Sequence, residues 1–372
     1  MDSATEQGID YRKVLDDALD VFFKDALRVS LRSPRQAGFF VRTVRWQRAA
    51  ARQRARLGQE GVHVPPIMIF SVTNHCNLHC KGCYHQALGR SSHPEMSEKK
   101  MAEVVEEAKE LGISFVVVAG GEPLLREKLV DITTSTPEII FLVFTNGLLL
   151  DDELVARLDG QRNFVPVISL EGYAAQTDAR RGEGVHGRVL DVVKRLNDKG
   201  MFWSVSLTIT RSNFETVTDR EFIRQFVDLG CKLFFFLEYT PIEEGTEDWV
   251  LTDSQRDELM RIRESLRSEF SALFMAVPGD EEDVGGCLAA GRGFDHVSAE
   301  GDLEPCPFAP YSDANLRDSS LKDALQSQFL RSIRENREDL SETEGGCALW
   351  VEREWVRSLL DTTSAAASSE GG

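Results

Sequence analysis

The sequence lacks any apolar run approaching the roughly 20 residues that a membrane-spanning helix needs. It does not open with a secretory signal: the first residues are acidic and polar. It also lacks a basic excess. The formal net charge is −18, and a phosphate backbone calls for a positive surface, so this charge argues against nucleic acid as a partner. Cysteine is sparse and odd in number, seven in all, without the signature of an exported disulfide scaffold. A cytoplasmic location is therefore expected, where clustered cysteines bind metal or do chemistry. No internal repeat is visible.

What remains has a globular profile, with 42% hydrophobic and 28% charged residues. A chain of 372 residues leaves room for one large α/β domain and a smaller one. Its charge is uneven. Ala26 to Gln59 holds nine arginines and no acidic residue, so the rest is more acidic than the total suggests.

Four segments are expected. Residues 1–66 read as a helical extension, with apolar residues at helical spacing over Tyr11 to Val29 and a second helix over Gln36 to Leu57. From Ile67 to Thr252 short β runs alternate with helices. The runs are Ile67–Thr73, Phe115–Val118, Ile139–Phe144, Phe164–Leu170, Phe202–Ile209 and Leu233–Leu237. Strands alternating with helices indicate a parallel sheet. Six are too few to close an eight-stranded barrel, so the expected fold is α/β, a partial (β/α)6 TIM-like barrel. After Thr252 the alternation is expected to end. Residues 253–361 then form a small cysteine-bearing domain, and 362–372 a Ser/Ala/Gly-rich disordered tail.

Cys76, Cys80 and Cys83 have the spacing C-x3-C-x2-C in a polar loop directly after an apolar strand. Three thiolates on a four-iron cube leave one iron without a protein ligand, free to take the amino and carboxylate groups of S-adenosylmethionine. Zinc is an alternative, since His75, His79 and His85 are close by, but a structural zinc site usually pairs two knuckles. Haem attachment needs C-x-x-C-H, and Tyr84 follows Cys83. Three inert cysteines within eight residues of a polar loop are improbable.

This loop resembles that of the radical S-adenosylmethionine (radical SAM) superfamily, and the resemblance covers about Ile67 to Tyr239. It implies a catalytic 4Fe-4S cluster on Cys76, Cys80 and Cys83, S-adenosylmethionine as cofactor, and a 5′-deoxyadenosyl radical that abstracts hydrogen from a substrate. It places Tyr84 near the adenine and Gly120-Gly121-Glu122-Pro123 at the amino group of the methionine portion. Thr145 and Asn146 would line the pocket, and Ser169 and Glu171 would contact the ribose or carboxylate. An arginine of Asp178-Ala-Arg-Arg-Gly182 would grip the carboxylate through its fork of donors, Arg181 in preference to Arg180. The bland counterparts are ordinary turns and solvated loops. For Ser206 and Thr208, packing is as good a reading as cofactor contact. For Glu238 and Tyr239, an ordinary strand end is slightly the better one.

Cys287, Gly301 and Cys306 form a C-x13-G-x4-C element around a stretch that reads as a β-hairpin, and Cys347 follows at the start of a helix. The element resembles the SPASM and Twitch extensions of radical SAM enzymes. With three cysteines the shorter Twitch-like form, holding one auxiliary 4Fe-4S cluster on Cys287, Cys306 and Cys347, fits better. Zinc remains an alternative here, and Cys231 reads as core. The resemblance further implies an electron donor such as flavodoxin or ferredoxin. The leading substrate class is a peptide or protein, with a lipid or small metabolite as runner-up. A non-catalytic iron–sulfur or zinc protein is the competing class. The arginine-rich segment has two readings: a helix packed on the acidic barrel, which is favoured, or peripheral membrane contact.

Overall fold

The computed structural model describes residues 24–26, 34–89, 94–279, 286–336, 340 and 347–360. The tail 362–372 lies outside the described residues, as does the helix expected over Tyr11 to Val29 except for residues 24–26.

Nine strands form one sheet: β1 (Ile67–Thr73), β2 (Phe115–Gly120), β3 (Ile140–Thr145), β4 (Phe164–Leu170), β5 (Ser204–Ile209), β6 (Leu233–Glu238), β7 (Leu273–Val277), β8 (Phe294–Val297) and β9 (Leu303–Glu304). Their order is β7-β6-β5-β4-β3-β2-β1-β8-β9. Neighbours from β7 to β8 are parallel, and β8 and β9 are antiparallel. The sheet curls without closing, so the expected partial barrel is present and open between β7 and β9.

Two features differ from the expectation. The alternation does not end at Thr252. The helix Asp253–Glu269, started by a Thr252/Gln255 capping box, returns the chain into β7, which pairs with β6. Leu273–Val277 is too short an apolar run for periodicity alone to separate strand from buried helix. In addition, β8 of the expected hairpin pairs with β1, so the cysteine-bearing region continues the barrel sheet.

The strands separate two cores. Outward residues such as Met68, Phe70, Val116, Val118, Phe141 and Val143 pack under the helices. The helix Glu98–Leu111 is typical. Ser97 caps its first turn by accepting from Lys100 N–H, worth about 1 kcal/mol, and Val104, Val105 and Ala108 are buried. Gly112 ends it at φ +90°, where a Cβ would also stand 2.6 Å from the Ala50 carbonyl.

Inward residues at the strand starts (Ile67, Phe115, Ile140, Leu233 and Leu273) form the second core together with Phe39, Val44 and Trp46. The helix Pro34–Gln59 thus plugs the barrel at the end opposite the strand C-termini. Arg54 donates to the Gly112 carbonyl, and Gln47 to Ser114 O at 3.4 Å. Arg42, Arg45, Arg48 and Arg52 on its other side are exposed, so the helix packs on the barrel while most of its charge faces solvent.

Candidate active site

The cysteine loop begins where β1 ends. Thr73 Oγ1 and Asn74 N–H both donate to Glu95, at 2.9 and 2.6 Å, and Glu95 is paired with Arg126 at 3.3 Å. Across the sheet Gly121 N–H donates to Thr73 O (2.7 Å) and Glu122 N–H to His75 O (2.8 Å). A Cβ on Gly121 would lie 2.0 Å from the His75 carbonyl. These glycines therefore let β2 approach the cysteine loop itself.

Cys76, Cys80 and Cys83 are half-buried and not in disulfides. Burial pushes the Cys76 thiol up, and the adjacent Cys80 and Cys83 add to this, so the three sulfurs are near neighbours. Burial also raises Cys80, against the pull of Arg181 and Arg180. Among the described residues no three His, Cys, Asp or Glu side chains close on a single ion. A cube takes each thiolate on a different iron, so its ligands need not meet at one point. Of the nearby histidines, His75 turns towards Glu95 (3.9 Å), His79 is exposed and His85 is buried in the short helix Tyr84–Ala87.

Glu122 is buried and its carboxylate is engaged within the protein. Oε1 accepts from Thr145 Oγ1 (2.7 Å) and Leu124 N–H (3.1 Å), and Oε2 from Asn146 N–H (2.9 Å). Burial raises its pKa despite these three donors. Glu122 thus joins the ends of β2 and β3, and Asn146 Nδ2 continues the link to Asn77 in the cysteine loop (2.7 Å).

Glu171, just after β4, gathers both arginines. Its Oε1 accepts from Arg180 Nη1 (2.6 Å) and from Arg181 Nε and Nη2 (2.9 and 2.5 Å), while Arg181 Nη1 stands 4.0 Å from Cys80 Sγ. The second oxygen, Oε2, is buried without a hydrogen-bond partner among the described residues. An orphan carboxylate oxygen next to an arginine and a cysteine suits the hydroxyl or ammonium donors of S-adenosylmethionine. Ser169 and Ser206 lie side by side in register, on the face opposite the outward Val205 and Leu207. Thr208 follows on the same inner face and is half-buried.

Glu238 ends β6, and Tyr239 follows it. Glu238 pairs with Arg256 at 2.7 Å. Tyr239 donates to Thr246 Oγ1 (2.8 Å), and its ring meets that of Trp249, centroids 5.2 Å apart.

The second cysteine group comes from three separate stretches. The Cys306 thiol is pushed well above its ordinary value, first by hydrogen bonding with Cys347, then by burial, with Cys287 adding to the effect. All three sulfurs therefore share one locality. Gly301 turns the hairpin between β8 and β9 at φ +99°. Phe308, two residues after Cys306, packs edge-on against Tyr84, centroids 5.1 Å apart, so the two cysteine loops touch. Cys231 is buried and donates to Leu233 O.

A buried chain absent from the sequence reading joins the same regions. Ser71 Oγ lies 2.8 Å from His296 Nε2, and His296 Nδ1 lies 2.7 Å from Glu304 Oε2. It ties β1 to both strands of the hairpin. The missing signal was the β1–β8 pairing, since nothing in the sequence places residue 296 beside residue 71.

Residues 70–227 match the family model described as the radical SAM superfamily. The chain carries a radical SAM domain, and the class chemistry of that superfamily uses a 4Fe-4S cluster and S-adenosylmethionine. Among similar proteins, an AdoMet-dependent heme synthase of Methanosarcina barkeri is 22% identical over 317 residues, covering 77% of this chain and 88% of its own. The mycofactocin maturase MftC of Mycolicibacterium smegmatis is 24% identical over 313 residues, covering 78% and 76%. The fold is similar to that of SuiB of Streptococcus suis. Its structure bound to S-adenosylmethionine has a TM-score of 0.63 at 20% identity, covering 81% of this chain and 75% of that one. Its structure bound to precursor peptide SuiA has a TM-score of 0.62.

Proposed function

We propose that this enzyme modifies a peptide or protein, holding the target between the catalytic cluster and an auxiliary 4Fe-4S cluster on Cys287, Cys306 and Cys347. The observation that carries the reading is the contact between the two cysteine loops, Tyr84 against Phe308, at the mouth of a sheet left open between β7 and β9. An open side admits a segment of a longer chain. The likeness to a maturase supports the same class.

When bound, the cluster and S-adenosylmethionine supply reductive sulfonium cleavage and hydrogen abstraction. The chain's own residues do the rest. Cys76, Cys80 and Cys83 are the cluster ligands. Glu171 Oε2 accepts a donor from the cofactor, Arg181 directs positive charge to its carboxylate, and Tyr84 flanks the adenine. Gly120, Gly121, Thr145, Asn146 and Ser169 shape the pocket wall. Glu122 serves by fixing that wall. Phe39 and Trp46 exclude water from the far end of the barrel. The electron comes from a donor such as flavodoxin or ferredoxin. Membrane contact through the exposed arginines of Pro34–Gln59 is tested by liposome flotation with and without residues 1–60.

Anaerobic reconstitution tests the auxiliary site, with about eight irons expected per chain for two four-iron clusters. About four irons, unchanged when Cys287, Cys306 and Cys347 become alanine, would remove it. The substrate is tested with the reduced enzyme, S-adenosylmethionine and a small peptide encoded beside its gene. A mass change in the peptide, with 5′-deoxyadenosine formed and both lost in Cys76→Ala, is expected. Turnover with a porphyrin or another small metabolite, and none with the peptide, would favour the substrate class suggested by the heme synthase likeness.

A further inference from the structure

Two residues, Lys81 and Gly82, separate the second and third cluster cysteines, and all four of their backbone hydrogen-bonding groups are occupied. Lys81 N–H donates to the Arg180 carbonyl (3.0 Å), and the Lys81 carbonyl accepts from Arg180 Nε (3.0 Å). The Gly82 carbonyl accepts from Arg180 Nη2 (3.4 Å), and Gly82 N–H donates to Glu243 Oε2 (2.8 Å). Arg180 therefore serves three of the four groups, through its main chain and its side chain together. Its remaining nitrogen, Nη1, donates to Glu171 Oε1 at 2.6 Å.

The turn is also packed from outside. Gly82 has φ +65°, and a Cβ there would stand 2.7 Å from the Trp249 ring and 2.8 Å from the Tyr239 hydroxyl. The neighbouring arginine is used differently: Arg181 donates to Glu171 and approaches Cys80 Sγ.

We propose that Arg180 is a positioning residue, which with Glu243 fixes the Cys80–Cys83 turn and ties it through Glu171 to the cofactor-facing end of β4. Adjacent arginines thus divide two tasks, Arg181 towards the cofactor and Arg180 towards the cluster loop. The planar guanidinium is what makes this feasible. It reaches two carbonyls and a carboxylate at once, which the point charge of a lysine cannot do. The inference rests on the radical SAM chemistry of the chain and not on the identity of its substrate.

The test uses full-length, anaerobically reconstituted Arg180→Lys and Glu243→Ala, which loosen the same turn from opposite sides. Three readouts are taken: iron content, the electron paramagnetic resonance spectrum of the reduced cluster with and without S-adenosylmethionine, and 5′-deoxyadenosine formation without substrate. Both variants should hold wild-type iron and show an altered response of the spectrum to S-adenosylmethionine. Their kcat should fall on the order of 10- to 100-fold, the scale of a misplacement near 1 Å. KM for S-adenosylmethionine should move less than about threefold, because binding contacts remain. Arg181→Lys should instead raise KM. Wild-type kcat and spectra in both clamp variants would overturn the proposal. A rise in KM at unchanged kcat in Arg180→Lys would also overturn it, making Arg180 a cofactor ligand. Loss of iron from both variants would reduce the pair to a structural role.

Discussion

Asp295 offers a test of how the sheet extension is held. It lies on β8 in register with Met68, on the outer face of the barrel. It is fully buried, and among the described residues no donor reaches either carboxylate oxygen. Burial pushes its pKa from 3.8 up to about 7, with Arg334 nearby holding it back. Such a shift favours the neutral acid in the fold by about 4 kcal/mol, at 1.36 kcal/mol per pH unit. The folded-state pKa is the raised one, so this stabilisation is complete below the ordinary carboxyl value and is lost as pH rises through about 7. Asp295→Asn is neutral at every pH and escapes the loss. In anaerobic urea unfolding, the stability gap between variant and wild type should shift in favour of the variant by about 2 kcal/mol between roughly pH 5.5 and pH 8.5. Taking the difference cancels the other titrating groups. A gap constant across that range would refute the reasoning, and a gap moving the other way would mean Arg334 outweighs burial.

Three further outcomes are expected. Glu122→Ala strands Thr145 Oγ1 and the amides of Leu124 and Asn146, and each buried orphan costs about 1–3 kcal/mol. Urea midpoints should report a loss of about 3 kcal/mol or more. Gly121→Ala places a methyl 2.0 Å from the His75 carbonyl, so iron content and 5′-deoxyadenosine formation should fall together; a variant loaded normally would contradict this close approach. Cys231, buried and pushed up to about 12, should be alkylated by iodoacetamide more slowly than the half-buried Cys76, Cys80 and Cys83 in the native apo-protein, as peptide mass mapping would show.

The cysteine triplet, the Gly-Gly-Glu-Pro segment and six strand positions were legible in the sequence because each is local. Spacing alone reports that Cys76, Cys80 and Cys83 share a loop, and short apolar runs report strands. Roles that depend on a distant partner were not legible. Glu122 reads as a ligand contact until the donors from Thr145 and Asn146 occupy it. Arg180 and Arg181 are adjacent and chemically identical, and the path of the cysteine loop past one of them separates their tasks. Ser71, His296 and Glu304 have no pattern in sequence, since the pairing of β1 with β8 alone brings them together. Leu273–Val277 was missed for a related reason: its strand character comes from pairing with β6.

The pairing of β1 with β8 also orders events during synthesis. β1 is an interior strand, and its second neighbour is encoded more than two hundred residues downstream. At about 5–20 residues per second the ribosome needs on the order of 10–40 s to make that stretch. Throughout this interval β1 presents a bare edge that can pair with other chains, and Ser71 waits for His296. The thiols of Cys76, Cys80 and Cys83 hang from that unfinished strand. A settled cysteine loop therefore belongs to the last stage of chain maturation, and a nascent chain stalled before residue 294 carries the cysteine triplet on an aggregation-prone edge.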